Sequence, residues 1–222
     1  MRRLIFALLA ASALVVSGAE AVRPAGDASA RKTVLLLGDS IRLGYCRHVR
    51  EMMKGTADVY FPENENGMFA YYTLRRIWDW TKLVPDPQRV DVIHFNNGLW
   101  DLGQRDGREC LTPIDVYAST MSRIADELRH FFPRAKLVFA TTTPINERVF
   151  NEQHLKGNAE VARYNAAAVK ALGAKVDAVD DLNRFVRENG LAAHQVDIVH
   201  YDEAGYRLLA GEVVRVVSAL LK

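Results

Sequence analysis

The amino-acid sequence predicts an α/β fold: a three-layer α/β/α sandwich on a five-stranded parallel sheet. Three observations predict it. From Lys32 onward, short β-branched and aliphatic runs alternate with longer segments of helical period. The strand-like runs are mainly β-branched and aliphatic, as suits strands covered on both faces. No internal repeat or low-complexity linker breaks the alternation, so one sheet with right-handed crossovers accommodates it.

Each element has its own signal. Lys32–Leu37 is a continuous apolar strand, Gly44–Lys54 reads as a helix, and Ala57–Phe61 is a second short strand. Phe69–Val84 is a helix because Leu74, Ile77, Trp78 and Thr81 recur at helical spacing, and Val90–Phe95 is the third strand. Thr112 and Pro113 suit a cap and first-turn proline, opening a helix through Val116, Met121, Ile124 and Leu128. Lys136–Thr142 is the fourth strand. Asn158–Leu172 is an Ala-rich helix stopped by Gly173, and Lys175–Val179 is the fifth strand. A loop from Gly190 leads to a final amphipathic helix, Asp202–Leu221.

Composition narrows the function. With 49% hydrophobic residues, 14 Gly and 7 Pro in 222 residues, the chain is neither disordered nor collagen-like. A formal net charge of +2 offers no basic field for a nucleic acid. Arg2 and Arg3 precede the apolar run Leu4–Val16, followed by Ala19-Glu20-Ala21. This reads as a secretory signal over residues 1–21, with a linker at 22–31 and the folded domain at 32–222. The apolar run is too short to span a bilayer, so export to the periplasm or medium is expected, without stable membrane insertion. In that setting Cys46 and Cys110 can close a disulfide or remain free thiols. The scattered histidines show no zinc-ligand spacing, and no metal is expected.

Ligands on parallel sheets sit at the carboxyl ends of the strands, so the residues after each strand are read for chemistry. Gly38-Asp39-Ser40 follows the first strand. A serine where a strand turns into a helix presents its hydroxyl at the sheet edge, with first-turn N–H groups facing developing negative charge. A plain N-cap serine suits the same place. The other end of the chain favours the chemical reading. Asp197 and His200 stand in the loop before the last helix, at a spacing that folds carboxylate back onto imidazole. His200 then takes the proton of Ser40, and Asp197 fixes its tautomer and stabilises the imidazolium. After the second strand, Gly67 can expose its N–H to an oxyanion; after the third, Asn96 can donate its side-chain amide. Asn97-Gly98 also suits an ordinary turn, which favours Asn96 as the donor.

Taken in this order, Gly38-Asp39-Ser40, Gly67, Asn96 and Asp197-x-x-His200 resemble the SGNH (GDSL-type) hydrolase family of esterases and lipases. The resemblance covers nearly the whole expected mature chain, and the stretch through Gly205-Tyr206 to Leu209-Ala210 resembles the family's last block and helix. It implies a flavodoxin-like sandwich, a triad of Ser40, Asp197 and His200, and an oxyanion hole formed by Ser40, Gly67 and Asn96. It further implies an exported serine esterase without a cofactor, acting on short acyl esters of carbohydrates. A lipid or lysophospholipid esterase and a noncatalytic carbohydrate-binding protein are the alternatives. The third block departs from the family's Gly-x-Asn-Asp: here Asn96-Asn97-Gly98-Leu99-Trp100-Asp101 resembles a variant branch. A literal overlay places Trp100 where the amide belongs, and Asn97 is the fallback donor.

Three more residues are candidates for the pocket. Arg42 and Tyr45 lie within about a turn of Ser40, and Trp100 follows the third strand; all three are expected to line an acyl or sugar subsite. The loop Thr141–Arg148 faces the same sheet edge. Histidines 48, 94, 130, 154 and 194 lack the company a base requires, and Asp39 is expected to brace the turn beside Ser40.

Overall fold

The computed structural model describes residues 31–103, 109–149 and 157–221. The expected signal segment at 1–21, its linker and His154 lie outside them, apart from Arg31. Five parallel strands form one sheet in the order β2-β1-β3-β4-β5, the strand order of flavodoxin-like folds. They are β1 (Lys32–Leu37), β2 (Ala57–Tyr60), β3 (Val92–Phe95), β4 (Lys136–Ala140) and β5 (Ala178–Asp180). The helices are α1 (Ser40–Met52), α2 (Ala70–Trp80), α3 (Ile114–Phe131), α4 (Asn158–Leu172), α5 (Leu182–Glu188) and α6 (Glu203–Leu220). Helix α1 packs on α6, while α2, α3 and α4 pack in sequence on one another, giving the two helical layers.

The strands are buried because both faces are covered: Val34–Leu37 and Val92–Phe95 have essentially no exposure. The parallel register aligns Leu37 with Phe95, so Gly38 and Asn96 leave the sheet side by side. Among the described residues no helix is long and apolar enough to cross a membrane.

Several boundaries differ from the pattern-based reading. Helix α1 starts at Ser40, four residues before its apolar period becomes visible, because the Asp39 side chain accepts the Ile41 N–H at 2.9 Å and caps it. Residues 173–175 form a 3₁₀ turn, which delays β5 to Ala178. Helix α5 was not anticipated. Asp181 caps it by accepting the Arg184 N–H, and it buries Leu182 and Val186, one turn apart.

The cysteines are free thiols: Cys46 is buried in α1 with its Sγ donating to the Leu43 carbonyl at 3.3 Å, and no disulfide joins it to Cys110. Tyr45 is also core. It is 1% exposed, and its hydroxyl lies 3.4 Å from His94 Nδ1, while His94 Nε2 lies 3.0 Å from Asp180 Oδ2. This wholly buried trio ties α1 to β3 and β5, so the expectation that Tyr45 lines a substrate pocket is corrected.

Candidate active site

Ser40 is the first residue of α1. Its placement at a helix N-terminus aims unpaired N–H groups and the positive end of the helix dipole toward the hydroxyl's surroundings. Gly38, two residues earlier, has a φ of +152°, and a Cβ there would lie 2.0 Å from Asn96 Oδ1. Only glycine permits that approach.

The base arrives from a loop closed on itself. Gln195 and Tyr201 form an antiparallel bridge, and the Val196 N–H donates to the His200 carbonyl at 2.9 Å. Asp197 sits within this loop, and its Oδ1 accepts the N–H groups of Val199 (2.8 Å) and His200 (2.7 Å). Its Oδ2 lies 2.8 Å from His200 Nδ1, and His200 Nε2 lies 2.9 Å from Ser40 Oγ. An ionised carboxylate only accepts, so Nδ1 carries the proton and Nε2 turns its lone pair to the Ser40 hydroxyl. Burial opposes the charge on Asp197, but the His200 and Val199 N–H groups and the imidazole outweigh it and hold the carboxyl below its usual range. Ser40, Asp197 and His200 are thus brought together from opposite ends of the chain.

Helix packing fixes that meeting. The Tyr206 ring of α6 lies against Gly44 of α1, where an added Cβ would fall 2.1 Å from the ring. Tyr206 also packs edge-on against Tyr201, with centroids 5.8 Å apart, and Tyr201 follows His200 directly.

The second-block loop corrects one expectation. The Gly67 N–H donates to the Gly38 carbonyl at 2.9 Å, so this donor is already committed and Gly67 anchors the loop to the nucleophile turn. The next N–H, of Met68, donates to Asn66 Oδ1 at 2.8 Å, and that of Ala70 to the Asp101 carboxylate at 3.0 Å. Between them, the Phe69 N–H has no acceptor among the described residues. Met68, with a φ of +47°, is the one non-glycine described residue in the positive region. That conformation re-aims the following peptide.

The third block separates its two asparagines. Asn97 donates its amide to the Met68 carbonyl at 2.9 Å, while its own carbonyl receives the Tyr117 hydroxyl at 2.8 Å and Thr142 Oγ1 at 3.1 Å. It is a structural knot. Asn96 accepts the Asp39 N–H on Oδ1 at 3.4 Å, which leaves its Nδ2 turned away and without an acceptor among the described residues. Trp100 is 40% exposed. Arg42 is 0% exposed and contacts backbone carbonyls instead of a pocket, which corrects its expected role as a substrate ligand. Asp101, fully buried, caps α2 from a different segment; burial pushes its carboxyl up to about 7 against the hydrogen bonds that favour its charge. Sequence reasoning missed this residue's part, although its place after Trp100 in the third block was the signal.

No family model matches the chain. It is 22% identical to the GDSL esterase/lipase WDL1 of Oryza sativa subsp. japonica over 180 residues, which are 73% of this chain and 68% of that protein. The lipase/acylhydrolase from Enterococcus faecalis superposes with a TM-score of 0.68 at 18% identity, covering 86% of this chain and 97% of the other. The fold is that of the GDSL-type lipase/acylhydrolases. An acetyl xylan esterase, AlAXEase, shares it at a TM-score of 0.66 and 20% identity, covering 83% of this chain and 99% of that one. Among the described residues of this GDSL-type fold, no group of three or more His, Cys, Asp and Glu is placed to hold a metal ion.

Proposed function

We propose that the protein is a serine esterase of the SGNH/GDSL type, exported, acting on short acyl esters of carbohydrates. The observation that carries the chemistry is the unbroken hydrogen-bonded series Asp197, His200, Ser40. Ser40 Oγ attacks the ester carbonyl as its proton passes to His200 Nε2, and Asp197 stabilises the imidazolium. The tetrahedral oxyanion takes hydrogen bonds from the Ser40 N–H, the Phe69 N–H and the Asn96 amide, of which the last two have no other acceptor among the described residues. Collapse expels the alcohol, which receives its proton from His200. Water then attacks the acyl-enzyme with His200 as base, releasing the acid and restoring Ser40.

Two features support the carbohydrate reading. The half-exposed Trp100 ring offers a flat apolar face at the third-block loop, of the kind on which sugars stack. The likeness to an acetyl xylan esterase extends over nearly all of that enzyme.

A fluorophosphonate probe tests the chemistry. It should label wild type and spare Ser40→Ala; a folded wild type that resists the probe and hydrolyses no aryl acetate refutes the esterase reading. An aryl-ester chain-length series, followed by acetate release from acetylated polysaccharides, then tests the substrate class. A preference for long acyl chains overturns it in favour of lipid esters.

A further inference from the structure

Arg42 has a fully buried guanidinium with no carboxylate bonded to it. Its Nη1 donates to the Pro62 carbonyl at 2.9 Å, and its Nη2 to the carbonyls of Gly38 at 3.3 Å and Glu65 at 2.5 Å. Cys46 Sγ lies 4.0 Å from Nη1, and Nε has no partner. A charge held this way adds little net stability, because the cost of removing it from water offsets much of what its contacts return. An apolar side chain of similar size would pack the same space.

The three carbonyls explain why a planar fork of donors is used. Gly38 belongs to the nucleophile turn, whereas Pro62 and Glu65 belong to the loop that runs on through Gly67, Met68 and Phe69. The Gly38 carbonyl takes both Arg42 Nη2 and the Gly67 N–H, so it is the joint between the two segments. At its far side the loop is held independently: the Glu65 carboxylate accepts from Tyr72, Arg76 and Trp80 of α2, Asn97 holds the Met68 carbonyl, and Asp101 holds the Ala70 N–H. Those contacts fix the loop to α2 and β3. On the α1 side, Arg50 and Arg47 reach the half-exposed Glu63 carboxylate of the loop at 2.6 and 3.9 Å, while Arg42, together with the Gly38–Gly67 hydrogen bond, ties the loop's backbone to the nucleophile turn.

We infer that Arg42 is a positioning residue for the reaction: it sets the second-block loop against the nucleophile turn so that the loop's free N–H meets the oxyanion on Ser40. This rests on the esterase reading. Arg42 touches no substrate, so its loss weakens transition-state stabilisation and leaves ground-state binding nearly unchanged. A lysine keeps the charge but not the fork and satisfies fewer of the three carbonyls.

The test is steady-state kinetics on an aryl acetate for wild type, Arg42→Ala and Arg42→Lys, with and without added guanidinium, alongside circular dichroism and melting temperature. Arg42→Ala should lose on the order of 10²–10³ in kcat, the cost of a misplaced oxyanion donor, with KM within about threefold of wild type. Guanidinium should raise kcat of this variant and leave wild type unchanged, which a loss of packing alone would not produce. If Arg42→Ala does not fold, Arg42→Lys decides: a folded variant with reduced kcat and unchanged KM supports the inference, and wild-type kcat overturns it. A folded Arg42→Ala with wild-type kcat, with a defect confined to KM, or with a kcat loss that guanidinium leaves untouched also overturns it. Wild type that neither hydrolyses the ester nor reacts with the fluorophosphonate defeats the esterase reading instead.

Discussion

Asn96 and Asn97 are neighbours with the same side chain, and the structure predicts opposite consequences for removing each. In Asn96→Ala the protein loses one long contact, the 3.4 Å bond from the Asp39 N–H. That geometry is weak, so the stability cost should be under about 1 kcal/mol. The same change removes an amide with no other acceptor among the described residues, and losing one oxyanion donor costs about 2.7–4 kcal/mol of transition-state stabilisation, or 10²–10³ in kcat. Asn97→Ala deletes the 2.9 Å bond to the Met68 carbonyl in a fully buried setting. A lost hydrogen bond and a stranded carbonyl together cost about 2 kcal/mol, which lowers the melting temperature by about 4–8 °C in a domain of this size. Its effect on kcat should be smaller, arising only through movement of the Met68–Phe69 peptide. Aryl acetate hydrolysis and thermal denaturation on the two variants separate these outcomes. A stable Asn97→Ala that is nearly inactive, beside an active Asn96→Ala, would refute the assignment and make Asn97 the donor.

Other consequences follow from the same geometry. Asp101 has its folded-state pKa raised from 3.8 to about 7, so the folded protein holds this proton more tightly than the unfolded chain does. Stability from this group is therefore complete below about pH 4 and declines as pH rises toward 7. Asp101→Asn, which keeps an acceptor for Ala70, should gain melting temperature relative to wild type between pH 5 and pH 8; a constant difference would contradict the argument. Gly44→Val would drive a side chain into the Tyr206 ring and should cost about 1–3 kcal/mol by overpacking, together with part of kcat as α6 shifts. Unchanged melting in urea would show that the α1–α6 contact has slack. His94→Leu leaves the buried Asp180 side chain without its imidazole partner and should cost about 1–3 kcal/mol, read as a lower urea midpoint. A midpoint equal to that of wild type would mean the pair contributes nothing to folding.

The layered architecture was legible in the sequence because a strand such as Val34–Leu37 is apolar at every position, and Val92–Phe95 at every position but His94, as a sheet covered on both faces requires. Helix α5 escaped because Leu182–Glu188 spans under two full turns, too few for a period to declare itself. At the site, Ser40, Asp197 and His200 were readable, since each stands just past a strand or just before a helix where chemistry concentrates. Gly67, Arg42 and Tyr45 were misassigned for a common reason: proximity in sequence says nothing about which way a donor or a ring points. The Gly67 N–H turned out to be paired with Gly38, Arg42 to reach under the turn, and Tyr45 to face His94 in the core. The donor proposed at Phe69 is a backbone N–H, which leaves no trace in residue type.

Ser40, the proposed nucleophile, stands just after the first strand, and His200, its proposed base, just before α6, 160 positions later. On the esterase reading, a chain emerging from the ribosome therefore gains hydrolytic competence only once the segment carrying Asp197, His200 and α6 has been released and docked. Premature termination anywhere upstream of α6 should leave a product that is inert as well as incomplete. Turnover of a chromogenic ester thus becomes a direct gauge of completed maturation, reporting on the joining of the two extremities, which spectroscopic helix content would miss.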